Sequence, residues 1–309
     1  MSSCLKCNRK AITFIRYSGA HLCKEHFIEF FEKRVKAEIR RQCSLRNVKK
    51  LAIATSGGKD STVLLFLLNK ILGARKNLEL VAITVDEGIK GYRDKSIIAL
   101  EKNCAELRIP HFVISFKDFF YEMDKIAKIS KDFSACAYCG VFRRYLLNKK
   151  SKQLNAQLLA MGHNLDDTAQ SILMNIARGD IEKLVRMAPH TIVQEGLIPR
   201  VAPLRIIPEK ETYLYALLSK INFYRGECPY AEVAIRNLYR KIIYELEDNS
   251  PGTRHAILKT YDSIIDSLRK SYPQPKLKEC KICKEPTTQE ICKACELKKE
   301  VETTLVTSH

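Results

Sequence analysis

The stretch whose residue types most clearly suggest chemistry is Ser-Gly-Gly-Lys-Asp-Ser at 56–61, which interrupts the apolar run LAIATSGGKDSTVLLFLL at 51–68. A polar, glycine-rich loop between a strand and a helix presents backbone N–H groups at the positive end of the helix dipole, and this arrangement binds anions. The glycines let the backbone approach a phosphate closely, and Lys59 adds a positive charge. The sequence therefore predicts a nucleotide phosphate site formed by Ala54, Ser56, Gly57, Gly58, Lys59, Asp60 and Ser61.

This loop differs from the common Gly-x4-Gly-Lys-[Ser/Thr] phosphate-binding loop. The residue five positions before Gly58 is Ile53, and Lys59 is followed by Asp60. The alternative interpretation is a glycine-rich turn that binds no ligand. The run of six polar or glycine residues at a strand-to-helix junction favours the phosphate site over that alternative.

Two further segments are expected at the same edge of the sheet as the loop. Asp86 ends a predicted strand and is followed by Gly88, whereas Gly162 and His163 follow another strand, in AMGHNLDDTAQ at 160–170. The carboxyl ends of parallel strands form one ligand-binding crevice. We therefore expect these four residues to lie near ATP, although His163 fits a structural role equally well.

Two adjacent aspartates, Asp166 and Asp167, stand where the next helix is predicted to start. Aspartate is favoured as a helix N-cap, so one of the two is expected to cap this helix. The other is predicted to hold Mg²⁺ on the phosphates or to act as an acid or base.

Three cysteines lie in the middle of the chain: Cys136 and Cys139, two residues apart, and the distant Cys228. A structural zinc site normally uses four ligands, whereas three thiolates leave one iron of a [4Fe–4S] cluster without a protein ligand. That iron could bind a sulfide and present it to an activated substrate. The spacing alone also fits a redox or persulfide pair at Cys136 and Cys139, or Cys228 as a buried bystander.

Each end of the chain carries a set of four metal-ligating residues arranged as two knuckles. The first set is Cys4, Cys7, Cys23 and His26, and the second is Cys280, Cys283, Cys292 and Cys295. This spacing is typical of structural zinc, with a second iron–sulfur cluster as the weaker alternative. Because neither segment is long enough to bury a core, bound metal would supply much of its folding free energy.

The composition bounds the partners of the protein. The 309 residues carry a formal net charge of +18, which favours a polyanionic partner, and nucleic acid above all. No apolar run approaches the ~20 residues of a membrane-spanning helix, and the first residues lack an apolar signal-peptide core. We therefore expect a cytoplasmic protein without membrane contact, in which the 12 cysteines indicate metal binding rather than disulfides.

The segments that position these residues alternate between strand and helix patterns from about 50 to 179, which predicts an α/β fold with a parallel sheet and right-handed crossovers. Helical patterns follow from 208. We divide the chain into an N-terminal zinc finger (1–30), a basic helix and linker (31–47), an ATP-binding catalytic domain (48–207), a helical region (208–272), a C-terminal zinc finger (273–300) and a tail (301–309).

The loop SGGKDS resembles the PP-loop of the ATP pyrophosphatases, which cleave ATP between its α and β phosphates and adenylate an oxygen atom. Together with CAYCGVFRR, GHNLDD and GECPY, it resembles the TtcA/TtuA-type tRNA 2-thiolation proteins over nearly the whole chain. The resemblance implies an adenine nucleotide α-hydrolase-like core, with the region at 208–272 on the tRNA side.

The resemblance also implies roles for individual residues. It implies a [4Fe–4S] cluster on Cys136, Cys139 and Cys228, and it places Asp167 and Arg143 in catalysis beside Lys59. Some members of the family have lysine at the position of Arg143. Because arginine keeps its proton at neutral pH, we expect Arg143 to stabilise charge rather than to act as a general base.

These observations lead us to expect an ATP-dependent tRNA sulfurtransferase that uses Mg²⁺, one cluster and two Zn²⁺. The O2 oxygen of a uridine, at position 34 rather than 54, would be adenylated with loss of pyrophosphate. Sulfur transfer to C2 through the cluster would then release AMP. The resemblance implies a homodimer, and the sulfur donor would be free sulfide, a persulfide or a thiocarboxylated ubiquitin-like protein.

Three alternatives remain open at this point. The first is thiolation through a cysteine persulfide without a cluster. The second is another PP-loop ligase that adenylates tRNA, which would have no need of the three central cysteines. The third is a non-catalytic, zinc-bearing RNA-binding protein, which the intact SGGKDS loop disfavours.

Overall fold

The computed structural model describes residues 2–129, 135–187, 189–190, 193–231 and 236–307. The chain opens with a small finger in which an antiparallel hairpin leads into a long helix. The elements are β1 (Thr13–Ile15), β2 (Ala20–Leu22) and α1 (Lys24–Gln42). Helix α1 buries Phe27, Phe31 and Val35 along one face, at the four-residue spacing of an amphipathic helix. It therefore belongs both to the finger and to the main core, and it starts before the predicted linker at 31–47.

The centre of the molecule is a five-stranded sheet in which all strands are parallel. Its spatial order is β5–β4–β3–β6–β7, with β3 (Lys50–Thr55), β4 (Glu79–Asp86), β5 (His111–Ser115), β6 (Leu158–Ala160) and β7 (Arg200–Val201). This confirms the predicted α/β fold. The sequence analysis missed β7, because a strand of two residues shows no periodicity.

Helices cover both faces of the sheet. They are α2 (Lys59–Leu72), α3 (Arg93–Leu107), α4 (Met123–Ile129), α5 (Ala135–Gln153), α6 (Leu165–Ala177) and α7 (Ile181–Val185). Successive residues of a strand point to opposite faces. Leu51 and Ile53 accordingly pack in one core with α1 and α2, whereas Ala52 and Ala54 pack in a second core with α5. The carboxyl ends of the strands are left at one edge, where the loops carry polar residues.

The C-terminal part is helical and ends in a second finger. Its elements are α8 (Glu209–Leu218), α9 (Arg236–Asn249), α10 (Thr253–Ser271), the hairpin β8 (Lys278–Glu279) and β9 (Pro286–Thr287), and α11 (Lys293–Thr307). The prediction of a tail at 301–309 is wrong for the residues up to Thr307, because α11 continues to that residue. The helix buries Leu297 and Val301 against the core beside α5. Among the described residues, no helix is both long and apolar enough to cross a membrane.

Candidate active site and metal centres

The predicted phosphate loop lies between the end of β3 and the start of α2. Gly57 has a φ of +77°, and a Cβ at this position would lie 2.5 Å from the backbone oxygen of Ser96, so no other residue fits without movement. The Oγ of Ser61 accepts a hydrogen bond from the backbone N–H of Ser56 at 3.0 Å. The loop is thus held closed on itself at the amino end of α2, where an anion is favoured.

A cavity of about 240 Å³ lies beside this loop. Its walls come from the ends of β3, β4 and β6 and from α5. The structure brings the following predicted residues together in the cavity lining: Ala54, Ser56, Gly58, Lys59, Asp60, Ser61, Arg143, Gly162 and His163. Burial in the cleft lowers the pKa of His163, against the opposing charge of Asp167, so the imidazole is neutral at pH 7.

Asp86 and Gly88 lie outside the lining of this cavity. The carboxylate of Asp86 accepts a hydrogen bond from the backbone N–H of Gly88 at 2.9 Å. Gly88 has a φ of +69°, and a Cβ there would lie 2.7 Å from the side chain of Glu122. In this structure the two residues shape the turn after β4, and their contact with a nucleoside stays a prediction.

Lys59 is held in a group of acidic side chains. Its Nζ lies 3.1 Å from Oε1 of Glu209 and 3.4 Å from Oδ1 of Asp60. The pKa of Asp60 is raised to about 6 because the carboxylate is buried, and the negative charges of Asp167 and Glu209 add to this effect while Lys59 opposes it. Carboxylates crowded beside a phosphate loop are the hard oxygen ligands that Mg²⁺ prefers, so this donor set fits the predicted metal.

The sequence analysis missed Glu209. Its second carboxylate oxygen accepts hydrogen bonds from Arg240 and Tyr244 of α9, each at 2.8 Å. Glu209 therefore connects the phosphate-loop lysine to the helical C-terminal region. The only local signal was an acidic residue directly after Pro208, at the start of a helix.

The structure corrects the assignment of the helix cap at α6. The N-cap is Asn164, whose Oδ1 accepts from the backbone N–H of Asp167 at 2.9 Å, and Asp167 accepts in return from the N–H of Asn164 at 3.2 Å. This reciprocal pair is a capping box, so neither aspartate is the N-cap residue. Asp166 has a structural role instead, because it is buried, pairs with Arg254 and accepts from the N–H of Glu209 at 2.7 Å.

The central cysteines lie at one wall of the cleft. Cys136 and Cys139 are one turn apart on α5, where Cys139 accepts a hydrogen bond from Nη2 of Arg143 at 2.9 Å. Cys136 donates to the backbone oxygen of Tyr230 at 3.4 Å, beside the segment that carries Cys228, and burial raises the pKa of Cys136.

The spacing of these cysteines differs from that of the terminal groups. A single zinc ion, about 2.3 Å from each sulfur, requires its ligand atoms within about 3.8 Å of one another. Within the part of the chain that the structure describes, only the two terminal groups bring three or more ligand atoms within 4.8 Å. The three central thiols do not all lie within that distance of one another, and thiolates are the ligands of iron–sulfur clusters. This donor set therefore fits a cluster better than zinc.

A buried carboxylate connects the cysteine site to the phosphate loop, and the sequence analysis missed it. Glu87 is 1% exposed and pairs with Nε of Arg93 and, at 3.1 Å, with Nε of Arg143. Arg93 in turn donates to the backbone oxygen of Ser56 at 2.8 Å. We call Ser56, Arg93, Glu87, Arg143 and Cys139 the bridge. It could not be read from sequence, because its members are distant along the chain.

The ligand atoms of each terminal group lie close enough together to hold a single metal ion. Sulfur–sulfur distances are 3.8 Å between Cys7 and Cys23 and 3.6 Å between Cys283 and Cys292. His26 completes the first group, with its Nδ1 3.3 Å from the sulfur of Cys4. Each group collects its four predicted ligands: Cys4, Cys7, Cys23 and His26 in the first, and Cys280, Cys283, Cys292 and Cys295 in the second.

A parallel sheet with this glycine-rich loop after its central strand defines a PP-loop nucleotide-binding protein. The family described as "PP-loop domain" matches residues 29–247, and the family "2-thiouridine synthetase TtuA, N-terminal LIM domain" matches residues 3–28. The chain is 39% identical to "tRNA 2-thiolation protein NcsA" of Haloferax volcanii over 317 residues, which covers 97% of this chain and 99% of that protein.

Another relative and a solved structure are similar to this chain over most of its length. "Cytoplasmic tRNA 2-thiolation protein 1" of Caenorhabditis elegans is 38% identical over 281 residues, covering 90% of this chain and 74% of that protein. The solved structure of "U34-tRNA thiolase NcsA from Methanococcus maripaludis with its [4Fe-4S] cluster" superposes with a TM-score of 0.85 at 34% identity, covering 97% of this chain and 96% of that one. The chain belongs to the PP-loop tRNA 2-thiolation protein family, which confirms the resemblance inferred from its motifs.

Proposed function

We propose that this protein catalyses the ATP-dependent 2-thiolation of a uridine in tRNA, with position 34 as the target. The observation that carries the proposal is the shared wall of the nucleotide cavity. Arg143 lines the cavity beside the phosphate loop and also donates to Cys139. A base activated by ATP would therefore stand next to the cysteine site, as a sulfur-transfer reaction requires.

In the first step the O2 oxygen of the uridine attacks the α-phosphorus of ATP, the bond to the β-phosphate oxygen breaks, and pyrophosphate leaves. The loop N–H groups and Lys59 stabilise the charge that develops on the phosphates. Lys59 must first exchange its pairing with Glu209 and Asp60 for the phosphates. Asp60 and Asp167 would hold Mg²⁺, which neutralises the pyrophosphate.

In the second step a sulfur nucleophile attacks C2 of the adenylated uridine. The C2–O bond then breaks, and AMP leaves with the former O2 oxygen. Cys136, Cys139 and Cys228 would hold a [4Fe–4S] cluster, which supplies an iron without a protein ligand as a place for the sulfur. Arg143, always protonated, offsets negative charge beside Cys139 and beside the departing AMP. The neighbouring Cys139 raises the pKa of Arg143, so the guanidinium stays protonated beside it.

The remaining assignments complete the proposal. The terminal groups would each bind Zn²⁺, the sulfur donor would be free sulfide, a persulfide or a thiocarboxylated ubiquitin-like protein, and the enzyme would work as a homodimer in the cytoplasm. The net charge of +18 supports tRNA as partner. Light scattering on a sizing column measures the dimer directly.

The test is an anaerobic reaction of the purified, iron-loaded protein with unmodified tRNA, Mg-ATP and sulfide. The tRNA is then digested and examined for 2-thiouridine by mass spectrometry. Cys228→Ser should lose both iron and thiolation, whereas the matched control Cys43→Ser, another half-buried cysteine outside every group, should keep both. Thiolation by iron-free Cys228→Ser would favour the persulfide mechanism, and pyrophosphate release without any 2-thiouridine would favour another adenylating ligase.

A further inference from the structure

A second cavity, of about 910 Å³, lies between the catalytic core and the C-terminal finger. It is bounded by α5, by the segment that leads into β7, by the end of α10 and by the finger. The cationic side chains in its lining outnumber the acidic ones. The cations are Arg144, Arg186, Arg200, Arg269 and Lys293, and the acids are Asp266 and Glu285.

Three of these cations are already paired. Arg186 pairs with Glu182, Arg269 with Asp266 and Lys293 with Glu296, at 3.0 Å, 3.4 Å and 3.1 Å. Within the described ranges of the chain, the side chains of Arg144 and Arg200 have neither an ion pair nor a hydrogen bond. Among the described residues, no carboxylate pairs with these two guanidinium groups in the wall of the large cavity, where Arg144 is exposed and Arg200 is half-buried.

The two free arginines repel each other. Burial and, secondly, the charge of Arg144 together lower the pKa of Arg200 to about 10. Burial is also the main effect that lowers the pKa of Arg144, and the charges of Arg143 and Arg236 lower it further. Holding like charges together in a partly buried cleft is unfavourable unless an anion lies between them. Two neighbouring cations in the wall of one cavity therefore favour an anion as its occupant.

These charges continue into the nucleotide cavity. Arg143 lines the 240 Å³ cavity, and its neighbour Arg144 on α5 lines the 910 Å³ cavity. Arg200 lies on β7, paired in register with Leu159 of β6, the strand that leads to Gly162 in the nucleotide cavity. We call Arg200, Arg144 and Arg143 the arginine row. It runs from the large cavity to the site where the base would be activated.

The shape and charge of this path select its occupant. An enzyme that modifies a base takes that base out of its stack, so the neighbouring nucleotides must be held outside the reaction site. The nucleotide cavity is too small for them, whereas the large cavity combines cations with apolar walls that include Val193, Leu197 and Ile198. Evenly spaced phosphates match a row of cations better than the single carboxylate of a protein terminus does.

We propose that the arginine row binds the phosphates of the RNA strand next to the target uridine, with the flanking nucleotides in the 910 Å³ cavity. This inference rests on the proposed function, because it takes tRNA as the substrate. Arg144 and Arg200 are thereby assigned to RNA binding rather than to catalysis.

The test measures RNA affinity without requiring the reaction. Labelled unmodified tRNA is titrated with zinc-loaded protein, without ATP, at several salt concentrations. The double variant Arg144→Gln/Arg200→Gln should bind roughly tenfold more weakly at low salt, and its log–log salt dependence should be shallower by about 0.7 for each lost phosphate contact. The matched control is Arg75→Gln/Lys76→Gln, which removes two exposed charges between α2 and β4 that line neither cavity. This control should keep the wild-type salt dependence.

The outcomes separate the two proposals. If wild-type protein fails to bind tRNA, the proposed function is wrong. If it binds and the double variant binds equally well with the same salt dependence, the arginine row is not the RNA path. If the double variant no longer binds a peptide with a free carboxyl terminus but still binds RNA as the wild type does, the inference is also overturned. The cavity would then be assigned to a protein tail. The variant Arg144→Lys/Arg200→Lys keeps both positive charges and should bind tRNA with most of the wild-type affinity. If the substitutions instead prevented folding, this affinity would not return.

Discussion

The terminal metal groups and the central cysteine site use the same ligand type but are built differently. Each terminal group collects its ligands from a short segment, and the ligand atoms already lie within 4.8 Å of one another. The central site takes Cys136 and Cys139 from α5 and Cys228 from a distant loop. Its three thiols do not all lie within that distance of one another, and Cys139 accepts a hydrogen bond from Arg143. The ends are therefore local structural units, whereas the central site exists only in the folded molecule.

The electrostatics of the two kinds of site also differ. Burial raises the pKa of Cys280, but hydrogen bonds from the backbone N–H groups of Cys283, Cys292 and Ile282 outweigh it and lower the pKa to about 6. Burial raises the pKa of Cys139 as well, and there a side chain, Arg143, provides the main opposing effect. At Cys280 the opposing effect comes from the backbone, whereas at Cys139 it comes from a side chain of the bridge. Changes to the two regions should consequently affect different properties.

The largest expected effect is on stability, from breaking a terminal group. Cys292→Ser should lose one zinc, unfold the C-terminal finger and detach α11 from the core beside α5, because metal binding supplies the folding free energy of such segments. The readouts are zinc content and thermal unfolding. Cys136→Ser, measured without iron, should melt close to wild type, since its thiol makes one hydrogen bond, to the backbone oxygen of Tyr230 at 3.4 Å. Equal destabilisation by the two changes would contradict the distinction between the regions.

The second effect comes from the carboxylate of the bridge. Glu87→Gln leaves two arginines without their buried counter-charge, and disrupting such a pair costs about 3–5 kcal/mol. We also expect thiolation per folded molecule to fall about 100-fold, because Arg143 is no longer held against Cys139. Unfolding in urea and single-turnover assays measure the two losses.

A matched variant separates these two losses. Glu38→Gln removes another buried carboxylate, one that pairs with Arg41 at 2.7 Å and lines neither cavity. It should reduce stability while thiolation per folded molecule stays unchanged. If the two variants lower activity equally, Glu87 acts only through stability.

The comparison also explains what the sequence could reveal. The terminal ligands were predictable because their spacing is a local pattern, and the phosphate loop because it joins a strand to a helix. Glu87 and Glu209 were not, because their partners are brought together only by the fold. The N-cap at Asn164 could have been predicted, since asparagine caps as well as aspartate and Asp167 stands at the third helical position.

The third prediction concerns pH and Asp60. Its pKa is raised to about 6 in the folded protein, from 3.8, so the folded state favours the protonated carboxyl. This contribution to stability is complete below pH 3.8 and is lost as pH rises through 6. Asp60→Asn, which cannot ionise, should therefore be more stable than wild type by about 2–3 kcal/mol at pH 7, with the gain shrinking towards pH 4.

Asp60→Asn should also abolish the binding of Mg-ATP at the phosphate loop. Without the carboxylate, Mg-ATP should no longer stabilise the protein against heat, whereas it should stabilise the wild type. Melting curves from pH 4 to 7.5, with and without Mg-ATP, measure both effects. If the stability gained by Asp60→Asn does not vary with pH, the pKa of Asp60 is not raised in the folded state.

The smallest expected effect is from Arg143→Lys, the most conservative change in the bridge. Arg143 uses two nitrogens, with Nε paired to Glu87 at 3.1 Å and Nη2 bonded to Cys139 at 2.9 Å. A lysine keeps the charge but has a single nitrogen, so it can hold one of these positions well and not both. We expect thiolation to fall by roughly threefold to tenfold with iron content unchanged, whereas Arg143→Gln, which also loses the charge, should fall much further. If lysine and glutamine reduce activity equally, the fork geometry of Arg143 matters and its charge does not. If lysine matches wild type, the charge alone is sufficient at the central site.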